Sequence, residues 1–285
     1  MYQIAKSKLN ELYRAISAKE DLFLPVQKAG QTNYGLWTEE AAVDIDTLKT
    51  VKSGKDCFFP QSEVLYKSRY EGGKVSIDPA ELQNQPFVVF GMRACDVRAV
   101  KVLDQVFLTD PVDTYYAARR EHGTIVSLAC KEPDETCFCK NFDVDAAEPG
   151  ADVETWFVGD ILYWKSLTEK GETLTAFVKE ALADSFMEAD AAGEKAVAEE
   201  QAAIRAIIEK LPCLTWICPG SNRKIPWSFL IPRSGRICIS PVWPAEPAPS
   251  CVPPASATTS VILMEARPEF SITGAGIPAC IPILP

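Results

Sequence analysis

Cysteine is the residue type in this chain whose number and spacing point to chemistry. The 285 residues include ten cysteines, and four of these lie close together at Cys95, Cys130, Cys137 and Cys139. In a reducing compartment, cysteines at this density bind a metal or an iron–sulfur cluster, or take part in redox chemistry. Whether the four act together depends on the elements of the fold that carry them.

Cys95 is expected at the junction of a strand and a helix. It follows the apolar run PFVVF (residues 86–90) and Gly91, and it precedes residues 97–107, where apolar side chains recur at three- and four-residue spacing. This pattern predicts a strand, a glycine turn and a helix that starts at Cys95 and Asp96. Because a helix N-terminus favours anions, the thiol of Cys95 is expected to ionise more easily than that of an ordinary cysteine.

The other three cysteines are expected near the end of a second strand. The run TIVSLA (residues 124–129) predicts a strand that ends at Cys130. In Cys137-Phe138-Cys139, an extended backbone would direct both sulfur atoms to one side, about 7 Å apart. Two strand ends and a Cys-x-Cys hairpin could therefore bring four thiolates into one pocket.

Four thiolates in one pocket hold either zinc or an iron–sulfur cluster. The sequence lacks the paired Cys-x2-Cys knuckles that structural zinc sites favour, and their absence favours iron–sulfur. The alternative is that these cysteines are small apolar core residues, since free cysteine is among the most buried residue types. The polar neighbours of Cys137 and Cys139 argue against a core position. Disulfides are disfavoured because the N-terminus does not resemble a signal peptide.

Several motifs, occurring in order, resemble those of one family of electron-transfer subunits. These motifs are KDCFFPQSEVLY (55–66), GMRACDVRAVKVLD (91–104), YYAARRE (115–121) and TCFC (136–139). They are similar to the 4Fe-4S dicluster family, which includes sulfhydrogenase beta subunits and the corresponding subunits of anaerobic sulfite reductases. The resemblance covers residues 1 to about 212.

The resemblance implies a role in a larger complex. A subunit of this family carries electrons to or from a flavin-containing electron-transfer subunit, with a catalytic reductase or hydrogenase subunit at the other end of the path. Such a chain is not a complete enzyme alone.

The cysteine site is then expected to bind an iron–sulfur cluster, of the 4Fe-4S type. The cofactor-binding and metal-ligating residues are Cys95, Cys130, Cys137 and Cys139. Asp96 is a candidate substitute ligand. Arg93 and Arg98 are candidates for offsetting the negative charge of the thiolates, with an ordinary surface position as the alternative. No catalytic residue is assigned, because the sole histidine, His122, is expected in a polar turn and gives acid–base chemistry little support.

A change in composition near Pro212 marks the expected domain organisation. Residues 1–175 are expected to form an α+β or α/β domain around the cysteine site, residues 176–212 a helical connector, and residues 213–285 an irregular or disordered tail. The tail holds 13 of the 21 prolines and has 5 Lys and Arg against 3 Asp and Glu, whereas the whole chain has a net charge of -10. A composition of this kind is typical of a segment without a packed core.

Within the N-terminal part, the patterns predict individual elements. A helix is expected over residues 3–20, and strands are expected in residues 155–167 and 172–178. Residues 176–211, rich in alanine and glutamate, predict a long helix that Gly193 divides in two.

Buried aromatic surroundings are expected for two further groups of residues. Cys57 lies among aromatic residues and is interpreted as a core residue. A second aromatic group is interpreted as ordinary core, with a cofactor-stacking wall as the alternative: Trp156, Phe157, Tyr163 and Trp164.

Charge, hydropathy and motifs exclude several classes of partner. The net charge of -10 disfavours nucleic acid as a partner and suits docking to a basic protein surface. No apolar run reaches the ~18 residues that a membrane span requires. Without an export signal, the cysteine content indicates a reducing compartment, the cytoplasm. Nucleotide binding has no motif, since neither G-x-G-x-x-G after a strand nor G-x-x-x-x-G-K-[ST] occurs.

The tail departs from the pattern of the 4Fe-4S dicluster family, which the preceding residues resemble. A dicluster subunit should end in a ferredoxin-like module with C-x2-C-x2-C-x3-C-P runs, and no such run is present after Pro212. When each codon boundary is read as the last base of one codon plus the first two of the next, residues 241–253 can encode C-L-A-C-G-T-C-T-F-V-C-P. Some positions are forced: Trp243-Pro244 must give Ala, and Met264-Glu265 must give Gly. The hypothesis is that the residues after about Pro212 are an out-of-frame translation of the ferredoxin module.

This hypothesis has a consequence for the cofactors. Five cysteines would then be accidental and would ligate nothing: Cys213, Cys218, Cys238, Cys251 and Cys280. Two further 4Fe-4S clusters are expected in the family, and their ligands would be absent from this chain. The protein is therefore expected to be defective in electron transfer.

Two rival functions come from other classes. The first is a scaffold, zinc-stabilised or metal-free, that only assembles partner proteins. The second is a thiol redox enzyme that uses Cys137 and Cys139. It is disfavoured because Cys-x-Cys lacks the usual redox spacing and a thioredoxin-like context.

Overall fold

The computed structural model describes these residues of the chain: 1–71, 73–134, 137, 139–140, 142–210 and, for the backbone alone, 141 and 269–275. The chain divides into two units, each built from two segments. The first unit comprises Met1–Phe59 and Leu82–Cys213, and the second comprises Pro60–Glu81 and Leu214–Pro285. The four cysteines of the predicted site all belong to the first unit.

The described part of the chain contains both strands and helices. The strands are β1 (Tyr2–Ala5), β2 (Asp21–Lys28), β3 (Gln31–Leu36), β4 (Ser62–Glu71), β5 (Lys74–Pro79), β6 (Phe87–Met92), β7 (Gly123–Leu128), β8 (Val153–Val158), β9 (Ile161–Ser166), β10 (Met187–Glu188) and β11 (Glu269–Ala275). The α-helices are α1 (Leu9–Ser17), α2 (Ala94–Phe107), α3 (Thr114–His122), α4 (Glu169–Ala181) and α5 (Ala191–Glu209). Three short 3-10 helices cover Lys6–Lys8, Gly54–Cys57 and Cys139–Phe142.

Eight strands of the first unit form one mixed sheet, in the order β10-β1-β9-β8-β7-β6-β2-β3. The four strands β2, β6, β7 and β8 pair in parallel, whereas the remaining neighbours pair antiparallel. Parallel neighbours have their carboxyl ends at the same edge of a sheet. The segments that follow β6 and β7 therefore begin side by side.

Helices cover both faces of this sheet. Side chains alternate between the two faces of a strand. Along β6, Val88 and Phe90 pack in a core cluster with residues of α1 and α4, and Phe87 and Val89 pack in another with residues of α2 and α3. All residues of β6 and β7 are buried, as expected for parallel strands covered on both faces. The predicted mixed α/β class is confirmed.

The predicted aromatic core of β8 and β9 is also confirmed. Trp156 and Trp164 are at most 1% exposed, and both indole groups donate hydrogen bonds. The acceptors are the carbonyl oxygen of Ala147 and Oγ1 of Thr175, each at 2.7 Å. These rings fill the core and leave no face for a stacked cofactor.

Three of the predicted elements differ from the observed ones. Residues 3–20 start as strand β1, because this segment pairs with β9 and β10, and helix α1 begins only at Leu9. The strand predicted over 172–178 is wrong. The segment lies inside α4, where Leu174 and Val178 lie four residues apart on a buried face, so burial outweighs the strand preference of its β-branched residues.

The long helix predicted over 176–211 is interrupted before Gly193. Helix α4 ends at Ala181 and α5 begins at Ala191, with β10 between them. The carboxylate of Asp190 caps α5 by accepting the N–H of Gly193 at 2.7 Å. A Cβ at Gly193 would lie 2.8 Å from Cε1 of Tyr163, so this glycine allows close packing and does not break the helix.

The second unit contains a three-stranded antiparallel sheet, in the order β11-β4-β5. Most of the predicted tail, residues 213–285, lies outside the described residues, including its five cysteines. The exception is β11, whose backbone pairs with β4 from Glu269↔Arg69 to Ala275↔Ser62. The domain boundaries placed at 175 and 212 therefore stay a prediction.

No helix in the described part of the chain is both long enough and apolar enough to cross a bilayer.

Candidate metal centre

Cys95 lies where the sequence predicts it, in the first turn of α2 and three residues after the end of β6. The approach to this turn depends on Gly91, whose φ of +85° is a conformation that other residues rarely adopt. A Cβ at Gly91 would lie only 2.5 Å from Cδ1 of Ile45. The β6–β7 register shifts between Phe90 and Met92, so the strand bulges as it delivers the helix start.

The predicted acidity of Cys95 is wrong, because its pKa is raised. The residue is exposed, yet enough protein surrounds the thiol for desolvation to raise its pKa, and the carboxylate of Asp96 raises it further. The ammonium of Lys55 and the N–H of Asp96 lower the pKa without offsetting these effects. Helix position alone did not predict the outcome, since burial penalises the thiolate more strongly.

Asp96, the candidate substitute ligand, is held by a separate segment of the chain. Its Oδ2 accepts a hydrogen bond from Oγ of Ser53 at 2.7 Å, and its Oδ1 pairs with the ammonium of Lys55. Sequence reasoning missed Ser53 and Lys55, which lie about forty positions from Asp96 and were not linked to it by any local pattern. Both carboxylate oxygens are thus engaged, and a ligand role for Asp96 stays a prediction.

Cys130 follows the end of β7, as predicted, and its N–H donates to the carbonyl oxygen of Ala146 at 3.1 Å. Burial raises the pKa of its thiol to about 12, and the guanidinium of Arg93 opposes this increase. The other three cysteines of the site raise the pKa further, since a thiolate at Cys130 would be repelled by negative charge on each of them.

Cys137 and Cys139 differ from the predicted extended hairpin. Cys137 lies in a turn in which its N–H donates to the carbonyl oxygen of Asp134 at 2.9 Å, while the N–H of Asp134 donates to Sγ of Cys137 at 3.2 Å. Cys139 begins the 3-10 helix Cys139–Phe142, so the extended geometry is wrong at the second cysteine. Burial, followed by the charges of Cys95 and Cys137, raises the pKa of Cys139 to about 11.

The four cysteine thiols lie close enough together for the charge of one to affect the pKa of another. Cys137 raises the pKa of the other three, and Cys95 raises those of Cys130 and Cys139. None of the five described cysteines forms a disulfide. Among the described residues, no group of three or more His, Cys, Asp or Glu is arranged as a metal site. The structure therefore brings the four together as neighbours, and their role as ligands stays a prediction.

The donor set fits an iron–sulfur cluster in its chemistry. Four thiols, an N–H···S hydrogen bond from Asp134 and the guanidinium of Arg93 form a group that could bind and stabilise an anionic cluster. Zinc would accept the same four thiolates. Cys57 stays apart from this group: it packs, half-buried, against the core cluster that contains Phe58, and burial raises its pKa to about 12.

The two arginines that the sequence singled out have different positions. Arg93 is buried, and its guanidinium donates to three main-chain carbonyl oxygens: Ala129 at 3.1 Å, Ile45 at 3.0 Å and Thr47 at 3.1 Å. It lowers the pKa of Cys130, which agrees with the predicted charge effect. Arg98 is exposed on α2, which agrees with the alternative of an ordinary surface position.

Tyr34 is a further residue of this neighbourhood that sequence reasoning missed. Burial raises the pKa of its phenol, which is also influenced by the charges of Arg93, Asp96, Cys57 and Cys95. Strand β3 carries Tyr34, and nothing in its local sequence links that strand to the cysteines. Only the tertiary fold could reveal the contact.

Comparison with known proteins gives a partial similarity. No protein-family profile matches the chain. Sulfhydrogenase 2 subunit beta of Pyrococcus furiosus is 35% identical over 112 residues, which are 39% of this chain and 31% of that protein. The chain thus matches less than a third of the length of this curated relative. The similarity supports the resemblance to sulfhydrogenase beta subunits that the sequence motifs indicate.

Proposed function

We propose that this chain is an iron–sulfur electron-transfer subunit of a multi-subunit oxidoreductase of the hydrogenase type. The observation that carries the proposal is the placement of Cys95 and Cys130 shortly after two adjacent parallel strands, with Cys137 and Cys139 in the segment that follows the second strand. The partial identity with a sulfhydrogenase beta subunit supports the same conclusion.

The chain's own residues would hold and adjust the cofactor. The thiolates of Cys95, Cys130, Cys137 and Cys139 would ligate one 4Fe-4S cluster, which supplies one-electron transfer when bound. The N–H of Asp134 stabilises negative charge on the sulfur of Cys137. Arg93 places a positive charge beside Cys130. Cys130, Cys137 and Cys139 are half-buried, whereas Cys95 is exposed.

The partners of such a protein follow from its class. We propose a flavin-containing subunit on one side of the electron path and a catalytic reductase or hydrogenase subunit on the other, within the cytoplasm of an anaerobic organism. The terminal acceptor would be sulfite, sulfur, protons or another electron acceptor. The acidic surface of the chain, with its net charge of -10, suits a basic docking face on either partner.

We further propose that the residues after about Pro212 are translated out of frame, so that two further 4Fe-4S clusters are missing and the electron path is interrupted. The support is the constant codon offset that restores C-x2-C-x2-C-x3-C-P across residues 241–253. Sequencing the coding DNA tests this idea. Bases at the junctions before Ala245 and Ala248 that do not give cysteine codons in the shifted frame would refute it.

Anaerobic reconstitution of the full chain tests the cluster proposal. Iron, sulfide and zinc are quantified together with the visible spectrum. We expect about four iron and four sulfide per chain and a broad absorption that bleaches on reduction. Stoichiometric zinc with iron near zero would instead support the scaffold function, and binding of neither metal would leave the metal-free scaffold.

A further inference from the structure

We infer that Arg93 is a positioning residue of the four-cysteine site, and that its fixed positive charge raises the reduction potential of the cluster. This inference rests on the function proposed above. It goes further by assigning to one side chain the control of both the geometry and the potential.

The position of Arg93 links the two strand ends that deliver cysteines. It immediately follows β6, two residues before Cys95. Its Nη1 donates to the carbonyl oxygen of Ala129, the residue directly before Cys130, at 3.1 Å. One side chain thus bridges the segments that carry two of the proposed ligands.

The second guanidinium nitrogen fixes a third segment against the same point. Nη2 of Arg93 donates to the carbonyl oxygens of Ile45 at 3.0 Å and Thr47 at 3.1 Å. The planar, forked guanidinium is suited to hold three carbonyl groups at once, and a lysine ammonium could not reproduce this arrangement.

The electrostatic surroundings of Arg93 indicate that an anion belongs nearby. The residue is only 9% exposed, and its hydrogen bonds, within the described part of the chain, go to neutral carbonyl oxygens. Burying a charge is costly unless an opposite charge compensates it. The neighbouring carboxylate of Asp96 is already paired with Lys55. A thiolate-ligated cluster, which carries net negative charge, would provide the missing compensation.

The direction of the effect on the potential follows from charge. Reduction adds one electron, and therefore one negative charge, to the cluster. A fixed cation nearby stabilises the reduced form more than the oxidised form, so that the reduction potential rises. Removing the cation should lower it.

Two substitutions separate the charge of Arg93 from its hydrogen bonds. Arg93→Gln removes the charge but keeps an N–H donor, and Arg93→Lys keeps the charge but loses the fork. Arg98→Gln is the matched control, because it removes an arginine of equal charge from an exposed position three residues after Cys95. Each full-length variant is reconstituted anaerobically and titrated with redox mediators, with the cluster followed by electron paramagnetic resonance.

We expect Arg93→Gln to raise the oxidised-to-reduced ratio at the wild-type midpoint by about tenfold, which equals about 59 mV for a one-electron couple. The midpoint potentials of Arg93→Lys and Arg98→Gln should stay close to that of the wild type. Amide hydrogen exchange in residues 45–47 and 129–130 should accelerate in both Arg93 variants, because each loses carbonyl contacts, and not in Arg98→Gln.

Each outcome decides the inference. If the wild type forms a cluster and Arg93→Gln leaves its midpoint unchanged, Arg93 is only structural and the inference is wrong, although the proposed function stands. If the wild-type chain binds no iron, both the inference and the proposed function are wrong. Should Arg93→Gln lose its iron, Arg93→Met is titrated in its place. Iron loss in Arg93→Gln and Arg93→Met but not in Arg93→Lys supports the role of the charge. Iron loss in all three variants contradicts a role of the charge.

Discussion

The backbone N–H of Asp134 donates a hydrogen bond to the sulfur of Cys137 at 3.2 Å. Cys137 returns a bond from its own N–H to the carbonyl oxygen of Asp134 at 2.9 Å, so the two residues close a tight turn. Hydrogen bonds from N–H groups to ligand sulfur atoms are a common way in which proteins adjust iron–sulfur clusters.

Cys137→Ser should weaken cluster binding strongly, because a serine hydroxyl is a much poorer iron ligand than a thiolate. We expect the iron content after reconstitution to fall to less than about half that of the wild type. Iron and sulfide analysis checks this. Cys57→Ser is the matched control, since Cys57 lies apart from the four-cysteine neighbourhood, and it should retain its iron. Equal iron in both variants would contradict the proposed ligand set.

Metal binding to the site should release protons. Burial raises the pKa of Cys130 to about 12 and that of Cys139 to about 11, so these thiols are protonated near neutral pH in the metal-free chain. A metal must displace those protons, and its affinity should therefore increase with pH, by up to about tenfold per pH unit for each proton released. Titration with Cd²⁺ in weak buffer measures the protons directly. Binding without proton release would contradict this prediction.

A second prediction on pH concerns an ion pair outside the candidate site. Asp104 on α2 accepts two hydrogen bonds from Arg120 on α3, at 2.7 and 2.9 Å, and a third from the hydroxyl of Tyr116 at 2.6 Å. Burial alone would raise the pKa of Asp104, but the bonds from Arg120 and Tyr116 hold it below its usual value. This network joins two helices that cover the same face of the sheet.

Asp104→Asn should lower the free energy of unfolding at neutral pH by about 1 to 2 kcal/mol, because it removes charge-assisted hydrogen bonds. A carboxylate with a lowered pKa stabilises the fold above its unfolded pKa of about 3.9, and this contribution is lost as the pH falls through the folded value. The difference in the free energy of unfolding between Asp104→Asn and the wild type should therefore become smaller at acidic pH. Urea unfolding of the variant and the wild type, at neutral and at acidic pH, measures this difference. Glu39→Gln, which breaks the exposed pair of Glu39 with Arg14, should change little at either pH.

Gly171→Ala should destabilise the chain, although alanine normally favours a helix over glycine by about 0.5 to 1 kcal/mol. Gly171 lies in the first turn of α4, and a Cβ there would be 2.1 Å from the carbonyl oxygen of Asp152. That atom belongs to the backbone and cannot move aside cheaply, so we expect a loss of about 2 to 3 kcal/mol. Thermal or urea unfolding checks the sign. Thr173→Ala, on the exposed face of the same helix, should be neutral or slightly stabilising.

Local patterns predicted the elements that carry the cysteines. The apolar runs before Gly91 and before Cys130 form strands, and the spaced apolar residues after Cys95 form a helix, because periodicity within a segment decides which face it can bury. The same reasoning failed for residues 172–178, where the strand preference of single residues was weaker than burial of a helical face.

The surroundings of the site could not be predicted in the same way. Lys55 reaches Asp96 over 41 positions, and Arg93 reaches Ala129, Ile45 and Thr47 over 36 to 48 positions. None of these contacts has a periodic signal, since each depends on loops that only the assembled sheet brings together. The low acidity of Cys95 could not be predicted either, because its largest cause is burial of the thiol, which the helix pattern alone does not show.

The first strand, β1, lies between β9 and β10, and the carbonyl oxygen of Met1 accepts the N–H of Ala189 at 3.0 Å. During translation, β1 can therefore pair with β9 only after Ser166 has been made, and its other edge stays unpaired until β10 (Met187–Glu188) has followed. Such distant pairing forms slowly. A nascent chain released before that point would leave the outer edge of β1 unpaired, a ready place for another strand to add.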